Sequence, residues 1–154
     1  MSVRADAESL RQIPLFRDCD TVPLQVMAFA AERQTFLPGE PIIAQGKKAT
    51  SAFFIMSGHA RVMQGEIELG VAQPGSFLGE MAMISGALYS VTAIANDSVT
   101  AARIDNSLFL RVADEYPDFG RSVLHSISRR LDGSVKELDK VRGLLVKIRN
   151  FNEL

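Results

Sequence analysis

Glycines at 39, 46, 58, 65, 70, 75, 79 and 86 punctuate the middle of this chain, and the short runs between them are rich in Val, Ile, Phe and Thr. "PGEPIIAQG", "SAFFIMSGHARVMQG" and "EIELGVAQPG" each read as a short strand with a glycine-bearing turn. The apolar run Ala52–Met56 predicts a buried strand, and "HARVM" the alternating strand that returns from the Ser57-Gly58 turn. Strands this short, at such regular spacing, fold as a compact antiparallel barrel. The expectation is a jelly roll over about 34–104 in a chain of mainly-β, α+β class.

Helical patterns flank this zone. Asp6 or Ser9 is placed to cap a short helix carrying Leu10, Ile13 and Leu15. Asp20 is placed to cap "TVPLQVMAFAAER", with Pro23 tolerated in the first turn. Beyond the barrel, helices are expected over about 105–150. "DNSLFLRVADEY" begins at the capping residue Asp105 and stops before Pro117, where a long helix opens. Leu124, Ile127, Leu131, Leu138, Val141, Leu145 and Ile148 recur on it at alternating three and four, a heptad seam with one polar member, Ser134. A seam reaching past its own barrel predicts a homodimer through this helix.

The bulk numbers suit one ordinary domain over 1–154, long enough to bury a core. A net charge of −1 gives no general attraction to nucleic acid or anionic lipid. The one cysteine, Cys19, rules out an internal disulfide and fits a reducing compartment. Neither a secretory leader nor an apolar run approaching ~20 residues is present, so a cytoplasmic protein without a membrane span is expected. Catalytic chemistry finds little support. His59 and His125 are the only histidines, with no H-x-H pair, nucleophile elbow or Walker loop. No enzyme activity, metal or cofactor is expected.

One stretch carries chemistry. In "SFLGEMAMISGALYSVTAIA", Glu80 is the only charged residue between Gly70 and Asp97. Gly79 lets the backbone turn where a side chain would obstruct a ligand. Glu80 offers two acceptor oxygens suited to sugar hydroxyls. Met81, Ala82 and Met83 begin a helical turn whose N–H groups suit an anion.

Taken with the order of elements, this stretch resembles the phosphate-binding cassette of cyclic-nucleotide-binding domains, as in bacterial catabolite-activator-type regulators and cyclic-nucleotide-gated proteins. "LPGEPIIAQG" resembles that family's first hairpin, and "AFFIMSGHARV" its central strand pair. "DNSLFLRVADEYPDFGRSVLHSISRRL" resembles the two helices after its barrel. The resemblance implies a ligand site of Leu78, Gly79, Glu80, Met81, Ala82, Tyr89, Ser90 and Ser134, although Ser134, as the polar break in the seam, fits either a lid over the base or a register device in the dimer. It implies that Glu80 takes the ribose 2′-hydroxyl of cyclic AMP or cyclic GMP while the amides after it meet the phosphate.

The family pattern departs at one position. It continues with arginine, then Ser or Thr, then Ala, whereas this chain reads Leu88-Tyr89-Ser90-Val91. An arginine grips a cyclic phosphate through a charged, bidentate pair, and tyrosine supplies one neutral hydroxyl. Removing one partner of a buried charged pair costs roughly 2–5 kcal/mol. At ~1.4 kcal/mol per tenfold, a micromolar affinity moves toward millimolar. Nothing in the sequence aims Lys47, Lys48 or Arg61 at the cassette instead. Thr50 is a second departure, standing where the family commonly has an acidic residue.

Related transcription factors continue into a helix-turn-helix domain, for which the residues up to Leu154 leave no room. DNA binding is therefore not expected. The sequence reading is a sensor or regulatory module with weakened or altered ligand preference, acting on an unknown downstream protein. The alternative is a degenerate domain kept as a dimerisation or protein-interaction scaffold without nucleotide binding.

Overall fold

The computed structural model of the chain describes residues 3–129. Helix α1 (Val3–Arg11) leads through a 3-10 turn at Pro14–Phe16 into α2 (Thr21–Ala30). Eight strands follow: β1 (Glu32–Phe36), β2 (Pro41–Ile43), β3 (Ser51–Ser57), β4 (Ala60–Gln64), β5 (Ile67–Ala72), β6 (Phe77–Leu78), β7 (Thr92–Ala95) and β8 (Val99–Asp105). Helix α3 (Glu80–Ser85) lies between β6 and β7, and α4 (Asn106–Glu115) leaves β8 directly. A further helix, α5, occupies 117–129. Leu131, Ser134, Leu138, Val141, Leu145 and Ile148 lie outside the described residues.

The strands form two antiparallel four-stranded sheets, ordered β1-β8-β3-β6 and β2-β7-β4-β5, which is the expected jelly roll. Strand β3 shows why the run "SAFFIM" carries no polar alternation. Its residues 51–56 are all buried, because both faces of the strand are covered. Ala52, Phe54 and Met56 face a helical layer that includes Leu15, Phe16, Leu24, Met27, Phe109, Val112 and Phe119. Phe53 and Ile55 face the barrel interior with Phe36, Ile43, Leu78, Tyr89 and Val99. Each large side chain buried in these two cores contributes about 1.5–3 kcal/mol.

The helix ends differ from the cap expectations. Neither Asp6 nor Ser9 caps α1, because that helix starts earlier. Asp6 is buried within it and accepts a hydrogen bond from Arg33 Nη2 at 2.8 Å, fastening α1 to β1. Ser9 Oγ donates to the Ala5 carbonyl. Asp20 and Asp105 do hold the residue before their helices, but neither side chain makes a cap bond. The Asp105 carboxylate accepts instead from Ser51 Oγ at 2.5 Å and Arg103 Nε at 2.9 Å. Helix α2 also ends before "ER", since Glu32 and Arg33 pair with Arg103 and Ala102 of β8.

Two turns are clasped at one end of the barrel. His59 N donates to Asp97 Oδ1 at 2.6 Å, its ring Nδ1 lies 3.0 Å from Oδ2, and Asn96 N donates to the His59 carbonyl. The histidine holds the Asp97 carboxyl below its ordinary range. Gly58 adopts φ +84° here, and a Cβ on it would lie 2.3 Å from the Ser98 carbonyl oxygen. Gly58→Ala is therefore expected to destabilise the fold by about 2 kcal/mol or more in urea unfolding. An unchanged midpoint would show that this turn is free to move.

Cys19 is buried beside the α2 start, and burial pushes its thiol from 9.0 to about 11, helped by the Asp18 and Asp20 carboxylates and opposed by Arg11. A raised thiol is harder to ionise in the fold than in the open chain. Its contribution is intact below pH 9.0 and falls as pH rises toward about 11. Across that window the parent chain should lose more stability than Cys19→Ala, as read by urea melts at stepped pH.

Candidate functional site

The site is built where the two cores meet. Strand β6 pairs Leu78 and Phe77 with Phe53 and Phe54 of β3, which brings the chain to the barrel wall. Gly79 then turns it with φ +78°, and α3 begins at Glu80. Met83 anchors α3 in the helical core, while Ala82 packs against the barrel interior. Gly86, at φ +73°, ends the helix, and the Ala87 N–H returns to the Ala82 carbonyl. The chain next runs antiparallel to 46–49. Tyr89 N donates to the Lys47 carbonyl, Gly46 N to the Tyr89 carbonyl, and Ala49 N to the Ala87 carbonyl.

This path encloses a hollow of about 260 Å³. Leu78, Gly79, Glu80, Met81, Ala82, Tyr89 and Ser90 all line it, together with Ile43, Phe77 and Val91. Seven of the eight residues that the sequence pointed to thus share one cavity, and the eighth, Ser134, lies outside the described residues. Glu80 is half-buried at the start of α3, and Ser90 is exposed at the rim. Arg61 is elsewhere, in a hollow on the second sheet with Met63, Glu66 and Glu68. Lys47 and Lys48 sit beside the cassette through their backbone, and neither lines the cavity.

Tyr89 is turned inward. It is buried, its ring lies against Gly79, and its hydroxyl donates to the Ser51 carbonyl at 2.5 Å. A Cβ on Gly79 would come within 2.7 Å of the ring's Cε1 atom, so glycine is needed both for its positive φ and for this approach. Burial pushes the phenol above its ordinary value, and only the neutral phenol can donate to the carbonyl.

Sequence reasoning missed what stands behind this tyrosine. Ser51 donates its own hydroxyl to Asp105, and Arg103 Nε donates to both Ser51 Oγ at 3.0 Å and Asp105. Asn106, the first residue of α4, donates from Nδ2 to the Met83 carbonyl and from its backbone N–H to the Thr50 carbonyl, each at 3.0 Å. The cassette helix and Tyr89 are therefore both tied to the start of α4. Ser51 and Asn106 belong to no local motif, and only the folded strand pairing of 51 with 105 brings them together.

On α5, Phe119, Val123 and Ser126 are buried and Ile127 packs against the helical core. Leu124 is 66% exposed, on the side away from that core. His125 is exposed, and among the described residues no group of three His, Cys, Asp or Glu is placed to hold a metal ion. Among those residues, no helix is long and apolar enough to cross a membrane.

A jelly roll with one helical layer against its first sheet, and a hollow bordered by a short helix after its sixth strand, defines a class of small-ligand-binding domain. Residues 33–116 match the cyclic nucleotide-binding domain family, and the chain belongs to that family. It is 28% identical over 103 residues to a cAMP-dependent protein kinase regulatory subunit of Hypocrea atroviridis, a match covering 67% of this chain and 22% of that one. The chain thus spans about a quarter or less of the length of such curated relatives. Among solved structures, a cyclic nucleotide-binding-like protein from Brucella abortus is 28% identical, with a TM-score of 0.65 over 71% of this chain and 98% of that one. The N-terminal domain of a Streptomyces coelicolor transcriptional regulator superposes with a TM-score of 0.77 at 17% identity, over 84% and 93% of the two chains, a likeness of fold.

Tyr89→Phe keeps the ring and deletes its bond to Ser51. Leaving that carbonyl without its donor should cost about 1 kcal/mol, measured by denaturant unfolding. Gly79→Ala should cost more, because positive φ and the ring contact are both violated. A reversed order would mean that the ring does not rest on Gly79.

Proposed function

We propose that this domain is a sensor or regulatory module of cyclic-nucleotide-binding type, whose ligand preference is weakened or altered because Tyr89 replaces the phosphate-binding arginine. The observation that carries it is the shared cavity, in which Glu80, the first turn of α3 and Ser90 surround one hollow. Glu80 takes ligand hydroxyls, and the amides at the start of α3, which have no carbonyl within their own helix, meet what lies beyond. Occupation changes the position of α3 and, through Asn106 and Ser51, of α4 and the helix after it. The output is a contact with a downstream protein, made by a homodimer joined through the C-terminal helix, in the cytoplasm. The domain has no catalytic role of its own and does not bind DNA.

Calorimetry and thermal shift with cyclic AMP and cyclic GMP test this reading. Ligand at a hundred times its dissociation constant should add ~2.7 kcal/mol of stability, reached here only at high millimolar concentration. Glu80→Ala should abolish the shift. No stabilisation by either nucleotide at any attainable concentration, in a folded protein, would contradict it.

A second reading draws on the burial of the Tyr89 ring: a domain retained as a dimerisation or protein-interaction scaffold. It predicts that the parent chain binds no nucleotide and that Tyr89→Arg creates binding.

A further inference from the structure

We infer that the domain holds a second binding site, separate from the cassette, which takes a phosphate group between the 3-10 turn and α5. A hollow of about 320 Å³ is lined there by Pro14, Arg17, Asp18, Ser126 and Arg129, none of which lines the cassette cavity. Two arginines against one aspartate give this lining a net positive charge, on a chain whose total is −1. Arg129 Nη2 donates to Asp18 Oδ2 at 2.9 Å, which leaves the other donors of that guanidinium for a ligand. Both partners of this pair are more than half exposed, so the pair is weak and open to an incoming anion. Arg17 is exposed and takes part in no ion pair among the described residues. A guanidinium matches two oxygens of a phosphate at once, and two of them suit its double charge.

Ser126 is the second, independent observation. Its residue is 5% exposed, and its hydroxyl is the one buried side-chain polar atom among the described residues that has no hydrogen-bond partner. A hydroxyl buried in that way costs stability, and its residue lines this hollow. In the observed rotamer the oxygen is closed off from solvent, and a turn about χ1 gives it a phosphate oxygen to donate to. The walls are fixed in advance. Phe16, one residue before Arg17, stacks on Phe119 of α5 with ring centres 5.9 Å apart, and both rings are buried. A phosphate held by Arg17 and Arg129 therefore clamps the turn before α2 to α5.

Isothermal titration of the full chain with inorganic phosphate and with glycerol phosphate, at constant ionic strength, tests the inference, with amide-resolved NMR to locate the ligand. Saturable binding is expected, with shifts at Arg17, Asp18, Ser126 and Arg129. The tighter of the two probes tells whether the free ion or an ester is the better occupant. Arg17→Gln and Arg129→Gln should each weaken binding about tenfold or more, while Arg111→Gln, the same change of charge on α4, should leave it unaltered. Asp18→Asn should tighten it by about two- to fivefold, because a like charge is removed and Arg129 is released. Ser126→Ala should weaken it without lowering the stability of the unliganded chain. Absence of saturable binding by both probes overturns the inference. So does binding that both arginine variants leave unchanged, or phosphate shifts centred on Gly79–Ala82.

Discussion

The contact between Tyr89 and the barrel wall governs the site. A ring laid on Gly79, with its hydroxyl on the Ser51 carbonyl, joins the segment after α3 to the central strand β3. It requires a glycine at 79, since any Cβ would meet the ring, and it requires a neutral phenol, since only that form donates. The sequence supplies the first, and burial, which raises the phenol above its ordinary value, the second. The same contact removes from the cavity the one polar group that position 89 offers. One side chain therefore both fastens the segment after α3 to the barrel and forms part of the cavity wall.

Ser51 extends the influence of that contact. Its carbonyl receives Tyr89, and its hydroxyl binds the Asp105 carboxylate that Arg103 also holds. Asp105 ends β8 and precedes α4, and the next residue, Asn106, grips the last turn of α3 at Met83. These are short, partly buried bonds between rigid elements. The bond from Asn106 to Met83 joins α3 to α4 directly, with no loop between them. From there α5 packs on the same helical core, through Phe119, Val123 and Ile127.

The barrel was legible because glycine turns and two-residue alternation are local signals. The unbroken apolar run at 51–56 could be read only as buried, and the structure supplies the reason in the two cores on either side of β3. The cassette was legible as a constellation, since Gly79, Glu80 and Ser90 lie within twelve positions of one another. The caps were less so. Asp6 and Asp105 carry the right side chains for capping, but long-range partners, Arg33 and Ser51, engage them, and the nearby Arg103 also holds Asp105. The inward turn of Tyr89 was beyond local reasoning. It depends on the carbonyl of a residue thirty-eight positions earlier.

The central claim is that a ligand enters the hollow between α3 and Ser90 while Tyr89 stays bonded to the barrel. Amide-resolved NMR during titration with cyclic AMP tests it most directly. The account predicts shifts centred on Gly79–Ala82 and Ser90, smaller ones at Asn106, and a Tyr89 hydroxyl proton still protected from exchange. Shifts centred away from the cassette, or release of that proton as the ligand binds, would contradict it.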